Sequence, residues 1–266
     1  MPWVRSLTSR ASASDPGPVD RLDHLFVVTF GRSGSTLVQG LLNALPGTLV
    51  RGENGFFLRA LFHSHEALAR TKNKWSDASE LKGPASAFYG AEELDLPAYR
   101  AGIRDLVEQQ LVGGQGRQEL RTVGFKEVLW HEVTEAETDR FLAFMDAVFP
   151  RARYVLHRRR NHEDVLVSGF WKRWDPKRAE DALLRVERFQ EELAVGREDR
   201  TCWTTYEDLT SPDPAVAAEA LVGLAQGVGH DPTPALLATL ADTVKIGHGP
   251  NPSQGQNPAR RKSGPA

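Results

Sequence analysis

The chain has 266 residues, which is long enough for one large α/β domain with its own core. Its formal net charge of −2 argues against a general nucleic-acid-binding protein, and no apolar stretch approaches the roughly 20 residues that span a membrane. The single cysteine, Cys202, excludes an internal disulfide and fits a reducing cytosol, so a cytoplasmic location is expected.

The first structural signal in chain order follows a segment rich in Ser and Pro. Residues 1–22 have no apolar core, so they predict a disordered leader rather than a secretory signal. Residues 25–30 (LFVVTF) are a continuous apolar run, which is typical of a strand buried on both faces of a parallel sheet. In residues 37–45 leucine recurs every four positions, which predicts one face of a helix. The loop between them therefore joins a buried strand to a helix.

This loop has the composition of an anion-binding turn. Gly31 and Gly34 permit tight turning and let backbone N–H groups approach an anion, and the helix N-terminus adds partial positive charge. A nucleoside-triphosphate P-loop carries lysine directly after its last glycine, and here Ser35 occupies that position. The loop therefore predicts a P-loop-like site for a smaller 5′-phosphate group. Its side-chain donors are expected to be Arg32, Ser33, Ser35 and Thr36.

Farther along, strand and helix patterns alternate. A short TLV segment and the stretch 122–130 predict further strands, and Thr134 with Glu137 predicts a capping box at the start of a helix. Such alternation implies an α/β fold whose mostly parallel sheet is flanked by helices. Residues 63–104 are polar and irregular, which predicts a helical insertion or lid over the substrate within one domain of residues 23–246. The remaining predictions are strands at 152–157 and 201–206, helices at 215–226 and 235–244, and a flexible basic tail at 247–266.

The most basic part of the chain carries a second motif. Residues 151–178 contain nine Lys or Arg residues and three acidic residues. Within them, the sequence RNHEDVLVS places Arg160 at the end of a predicted strand and Ser168 about one turn along a predicted helix. An arginine and a hydroxyl that converge in this way make a second anion site. A solvated basic face is the alternative interpretation of this segment alone.

The two motifs together resemble the sulfotransferases that use 3′-phosphoadenosine-5′-phosphosulfate (PAPS). In that family a strand–[KR]-S-G-[ST]-T–helix loop is followed farther along by R-N-x-x-D-x-x-x-S. The resemblance implies the sulfotransferase fold, with the 5′-phosphosulfate bound by residues 32–36, Gly34 included, and the 3′-phosphate bound by Arg160 and Ser168. The later YEDL sequence, which begins at Tyr206, matches a further family segment.

Departures from the family pattern indicate which branch of the family the chain resembles. His162 stands in place of the usual proline. Arg32 stands where cytosolic steroid and phenol enzymes have lysine, which is similar to bacterial carbohydrate and tyrosylprotein-type sulfotransferases. The C-terminal family loop over the 3′-phosphate has only a weak counterpart in Arg260, Arg261 and Lys262.

The chemistry of sulfuryl transfer assigns roles to further charged residues. By analogy with phosphoryl transfer, the protein positions the reactants and neutralises developing charge without a required metal, and Arg32 and Lys126 are the candidate cations. The acceptor hydroxyl also needs a base. Glu53, in a segment resembling that of tyrosylprotein- and heparan-type enzymes, is the first choice, and Glu127, in a G-F-K-E strand, is the second. Strand neighbours point to opposite faces, so Lys126 and Glu127 are not both expected in the site.

The sequence leaves the acceptor open. A hydroxyl of a carbohydrate, a glycolipid or another natural product is expected, with Glu127 as a further substrate contact. Six aromatic residues are candidates for stacking on a sugar or aryl ring, although tryptophan is also common in cores: Trp75, Phe88, Tyr89, Trp130, Trp171 and Trp174. Two other functions compete with sulfuryl transfer. A P-loop small-molecule kinase would turn over ATP, and a non-catalytic nucleotide-binding module would bind PAPS without transfer.

Overall fold

The computed structural model describes residues 22–77, 83–114, 116 and 119–247. Most of the predicted leader, residues 78–82 of the predicted lid and the predicted tail from residue 248 onward lie outside the described residues. The tail includes the Arg260, Arg261 and Lys262 predicted as a weak phosphate contact. No helix in the described ranges is both long and apolar enough to cross a membrane.

A parallel sheet of five strands forms the centre of the protein. Its strands are β1 (Asp23–Val28), β2 (Thr48–Arg51), β3 (Thr122–Glu127), β4 (Arg153–Arg158) and β5 (Thr201–Thr205). Their spatial order is β2-β3-β1-β4-β5. The last residue of β1, Val28, lies opposite Glu127 of β3 and Leu156 of β4. The predicted α/β fold with a parallel sheet is therefore confirmed.

The sheet has a topological switch point between β1 and β4. The chain leaves β1 toward β2 on one side of the sheet, whereas it leaves β4 toward β5 on the other side. In open parallel sheets, a ligand crevice forms where the connections diverge, outside the carboxyl ends of the strands. The loops that follow β1 and β4 therefore border the expected binding crevice.

Helices cover both faces of the sheet. Phe26 and Val28 of β1 face one helix-lined core, whereas Leu25 and Val27 face a second core lined by other helices. Because both faces are covered, the strand has a continuous apolar sequence. The first core contains α2 (Phe57–Trp75), α3 (Leu96–Val112), α4 (Glu135–Val148) and α6 (Pro176–Ala194), and the second contains α1 (Ser35–Asn43), α8 (Pro214–Gly227) and α9 (Pro234–Gly247). The short helices α5 (His162–Leu166) and α7 (Tyr206–Leu209) follow β4 and β5.

The segment predicted as a lid, residues 63–104, consists mainly of parts of α2 and α3. Helix α3 packs against α2, α4 and the strands β2 and β3. Its residues Ile103 and Val107 are buried in the first core. This segment therefore belongs in part to the helical layer that covers the sheet.

Side-chain caps fix where several helices begin. The capping box predicted at the start of α4 is confirmed, and the Glu137 carboxylate accepts a hydrogen bond from the Thr134 backbone N–H (3.1 Å). An aspartate caps each of α3, α6 and α8, and a proline stands in the first turn of each. Helix α1 differs, because Gly34 is its N-cap residue and no side chain caps it. Within its first turn the Leu37 N–H donates to the Gly34 carbonyl (2.9 Å), so the N–H groups of Ser35 and Thr36 are left for another partner.

Candidate active site

The predicted site residues come from separate strands and meet at one edge of the sheet. The loop 29–36 follows β1, Glu53 follows β2, Lys126 lies at the end of β3, and Arg160 follows β4. Helix α7, which carries the YEDL sequence, follows β5. Since the strands are parallel, their carboxyl ends lie on the same edge. All five strands therefore contribute to one candidate site.

The loop after β1 has an unusual backbone. Arg32 and Gly34 both have positive φ angles, of 69° and 90°, and a positive φ is uncommon for a residue with a side chain. Ser33 is fully buried, and its hydroxyl is hydrogen-bonded to the Thr29 hydroxyl (2.8 Å). Arg32 and Thr36 are exposed. These two side chains, together with the uncapped N-terminus of α1, are therefore the groups of the loop that face solvent.

The loop after β1 is hydrogen-bonded directly to the segment that follows β4. Arg32 Nε donates to the Ser168 hydroxyl (3.2 Å), which joins the two sequence motifs across 136 residues. The Gly31 carbonyl accepts from the indole N–H of Trp171 (2.7 Å), and the Arg32 carbonyl accepts from Arg159 (3.4 Å). These bonds hold the two loops together at the switch point.

A buried histidine completes this connection. His157 of β4 is fully buried, and burial lowers its pKa to about 4, so the ring is neutral near pH 7. Its Nε2 lies 3.0 Å from the Ser33 carbonyl, which can only accept, so Nε2 carries the proton. Its Nδ1 then accepts from the Thr204 hydroxyl of β5 (2.9 Å). His157 therefore links the loop to β4 and β5 rather than facing a ligand.

Arg160 is exposed and held by carboxylates of α7. Its guanidinium is paired with Asp208 (2.6 Å), and the hydrogen bond from Arg160 lowers the pKa of that carboxyl. The Glu207 carboxylate accepts from the backbone N–H groups of Arg160 (3.0 Å) and Asn161 (3.3 Å). The sequence predicted that the side chains of Arg160 and Ser168 converge. In the structure they have different partners, because Ser168 contacts Arg32 and Arg160 contacts Asp208.

The candidate catalytic lysine and glutamate form an ion pair. Lys126 Nζ lies 2.5 Å from Glu53 Oε1. The Lys126 side chain is only 6% exposed, whereas that of Glu53 is 52% exposed. The pair therefore presents a largely buried ammonium group and a carboxylate that solvent or a substrate can reach. This arrangement brings together two residues predicted from different strands.

Glu127 has a different environment from that predicted for a base or a substrate contact. It is fully buried, and its Oε2 accepts from the backbone N–H groups of Asn54 (3.2 Å) and Phe56 (2.9 Å). Its Oε1 accepts from the N–H groups of Val128 (2.7 Å) and Leu129 (3.2 Å). Both oxygens are thus used to hold the loop that carries Glu53 against the end of β3. Glu127 supports the site and does not face it.

Three of the predicted aromatic substrate contacts belong to the segment that begins with α2. Trp75 is the last residue of α2 and stacks on Phe88, with ring centroids 4.3 Å apart. Helix α2 has 19 residues and starts close to Glu53, so at the standard rise its far end lies about 27 Å from its start. Tyr89 is next to Phe88 and is exposed. Trp75 and Phe88 therefore lie at the far end of α2 from Glu53, and the acceptor contact of the three aromatics stays a prediction.

Sequence reasoning missed several residues that shape the site. The Tyr206 ring packs so closely on Gly34 that a Cβ atom there would lie 2.2 Å from it, and the Arg159 guanidinium lies over the same ring at 4.8 Å. Arg159 also pairs with Asp164 (2.9 Å). The YEDL sequence signalled Tyr206, but nothing in the sequence pairs it with Gly34. Among the described residues, no group of three His, Cys, Asp or Glu side chains is arranged to hold a metal ion.

Comparison with known proteins gives no family assignment. No family model matches the chain, and no curated protein matches it at a significant level. The functional argument therefore rests on the geometry of the site.

Proposed function

We propose that the protein is a sulfotransferase that transfers the sulfuryl group of PAPS to a hydroxyl of an acceptor molecule. The observation that carries this proposal is the hydrogen bond between Arg32 and Ser168 (3.2 Å), which joins two motifs predicted to bind anions at the switch point. A cytoplasmic location is part of the proposal, in keeping with the free thiol of Cys202.

The donor nucleotide has two phosphate-containing groups, and we assign a separate set of residues to each. The 5′-phosphosulfate is assigned to the loop after β1, where Arg32, Thr36 and the uncapped N-terminus of α1 provide positive potential. The 3′-phosphate is assigned to Arg160 and Ser168. Arg160 pairs with Asp208 at the surface. Because exposed ion pairs are weak, a dianionic phosphate can compete with Asp208 for the Arg160 guanidinium.

The Lys126–Glu53 pair suits the transfer step. The acceptor oxygen forms a bond to sulfur while the bond between sulfur and the bridging phosphate oxygen breaks, and adenosine 3′,5′-bisphosphate leaves. Lys126 and Arg32 neutralise charge that develops on the bridging and sulfuryl oxygens. The exposed carboxylate of Glu53 takes the proton from the acceptor hydroxyl. Glu127 fixes the Glu53 loop through its four hydrogen bonds to the backbone.

A transfer assay tests this function. PAPS is incubated with a mixture of methyl glycosides and 2-naphthol, and both the bisphosphate and the sulfated product are measured by chromatography. The wild-type protein is expected to form them in equal amounts, and Lys126→Met to slow the reaction about 10²–10³-fold. Lys74→Met is the matched control, since Lys74 is exposed and lies over Trp75 at the far end of α2.

Two results would contradict the proposal. Transfer of the γ-phosphate of ATP to the same acceptors would identify a kinase. Bisphosphate binding with no sulfated product from any acceptor would favour a nucleotide-binding module.

A further inference from the structure

A cleft of about 480 Å³ lies next to the candidate site. Leu129, His131 and Glu132 line it after β3, and Trp174 and the first half of α6 also line it. Its volume falls within the range of small-molecule binding sites. None of the roles described above uses this cleft.

The cleft shares a wall with the loop that follows β1. Leu129, which lines the cleft, forms a β-bridge with Phe30 of that loop. Trp171 donates to the Gly31 carbonyl, and its ring also contacts the rings of His131 and Trp174. The cleft therefore lies beside the loop after β1 that is proposed to hold the phosphosulfate.

The lining combines hydrogen-bond donors, acceptors and an aromatic ring. Arg178 lies over the Trp174 ring at 4.5 Å, and no carboxylate lies within 4 Å of its guanidinium among the described residues. Asp181 also lines the cleft and has no ion-pair partner in the same ranges. Glu132 lies 3.8 Å from Arg59. A third arginine, Arg185, is already used, since its nitrogens bind Val133, Thr138 and Glu192.

His131 adds an acceptor to this lining. Burial lowers its pKa, and nearby Arg178 acts in the same direction, whereas Glu132, the Val128 carbonyl and Glu127 act to raise it. The net effect is a neutral ring at pH 7, and such a ring has one nitrogen that accepts a hydrogen bond. Its Nδ1 is buried without a hydrogen-bond partner among the described residues, and the residue itself lines the cleft.

We infer that this cleft binds the acceptor, and that the acceptor is a polyhydroxylated molecule of the carbohydrate class. Hydroxyl groups both donate and accept, so they can satisfy Arg178, Asp181 and His131 together, while the less polar face of a sugar ring contacts Trp174. An anionic acceptor would meet the carboxylates of Asp181 and Glu132. A simple phenol has a single hydroxyl, so it can bind fewer of these polar groups than a sugar can. This inference rests on the proposed function.

The indole N–H of Trp174 provides a direct readout. In ¹⁵N-labelled protein saturated with adenosine 3′,5′-bisphosphate, methyl glycosides of glucose, galactose and N-acetylglucosamine are titrated while the indole signals are followed by NMR. The indole signal that disappears in Trp174→Phe is assigned to Trp174. At least one glycoside is expected to shift the Trp174 signal and to leave that of Trp203, which is exposed on β5, unchanged.

Matched variants separate the cleft from general surface charge. Arg178→Gln and Asp181→Asn are each expected to weaken glycoside binding about 10-fold or more, as expected for a lost charged hydrogen bond. Arg173→Gln and Glu180→Gln remove exposed charges of the same type just outside the cleft and are expected to leave binding unchanged.

The outcomes for the cleft and for the proposed function are distinguishable. The cleft assignment is overturned if no glycoside shifts the Trp174 signal at any soluble concentration, or if 2-naphthol or glucuronic acid shifts it at lower concentration than every neutral glycoside. Bisphosphate binding is measured on the same samples by calorimetry. If the bisphosphate does not bind but glycosides still shift the Trp174 signal, the result counts against the sulfotransferase function. It does not count against carbohydrate binding in the cleft.

Discussion

Replacing Glu127 by glutamine tests whether this residue supports the fold of the site or acts as a base. The carboxylate accepts four backbone N–H bonds of 2.7–3.2 Å, two on each oxygen. A glutamine amide keeps one oxygen, but its NH₂ group faces the other two N–H groups and can only donate. Two backbone donors, one buried and one part-buried, therefore lose their acceptor, at about 1–3 kcal/mol each.

The expected loss of stability in Glu127→Gln is therefore about 2–6 kcal/mol, a large part of the roughly 5–15 kcal/mol that stabilises a typical domain. Urea unfolding followed by circular dichroism measures it. Glu135→Gln is the control, since Glu135 is exposed in a surface ion pair with Arg188, and a change below about 0.5 kcal/mol is expected. If Glu127→Gln is as stable as the control but loses turnover, Glu127 is the base and its structural role is refuted.

Three further substitutions test the proposed roles of other residues. Arg160→Ala should weaken binding of adenosine 3′,5′-bisphosphate about 10- to 150-fold in calorimetry and leave adenosine 5′-phosphosulfate nearly unaffected; equal losses would place Arg160 elsewhere. Glu53→Gln should lower kcat about 10²–10⁴-fold with bisphosphate affinity retained, and near-normal turnover would exclude Glu53 as the base. Gly34→Ala should weaken bisphosphate binding, because the new Cβ meets the Tyr206 ring at 2.2 Å. Gly90→Ala, at a similar φ in open space, is its control, and equal effects of the two would refute this explanation.

The sequence predicted the fold well because its patterns were strong. The apolar run at 25–30 corresponds to β1, which is covered on both faces, and the capping box at Thr134 begins α4. The predicted helices at 215–226 and 235–244 correspond to α8 and α9, with boundaries that differ by three residues or fewer. Strand–helix alternation also placed the loop after β1 and Glu53 at the same sheet edge, because strands in such a fold run parallel.

The pairing of side chains within the site was less predictable. Strand alternation indicated that Lys126 and Glu127 point in different directions, but it did not show that Glu127 binds four N–H groups of two loops. Those contacts depend on how the chain turns after β2, where Phe56 adopts a positive φ of 53°. Likewise, the sequence identified Trp75 as aromatic, but only the length of α2 shows how far it lies from Glu53.

The central claim is that the site binds an adenosine with phosphate groups on both its 3′ and 5′ oxygens rather than a nucleoside triphosphate. Calorimetric titration of the wild-type protein with adenosine 3′,5′-bisphosphate and with ATP tests it most directly, because neither titration requires the acceptor. Selective binding of the bisphosphate is predicted, since Arg160 and Ser168 are assigned to its 3′-phosphate and Ser35 replaces the lysine that a triphosphate requires. ATP binding that is equal or tighter would contradict the sulfotransferase assignment.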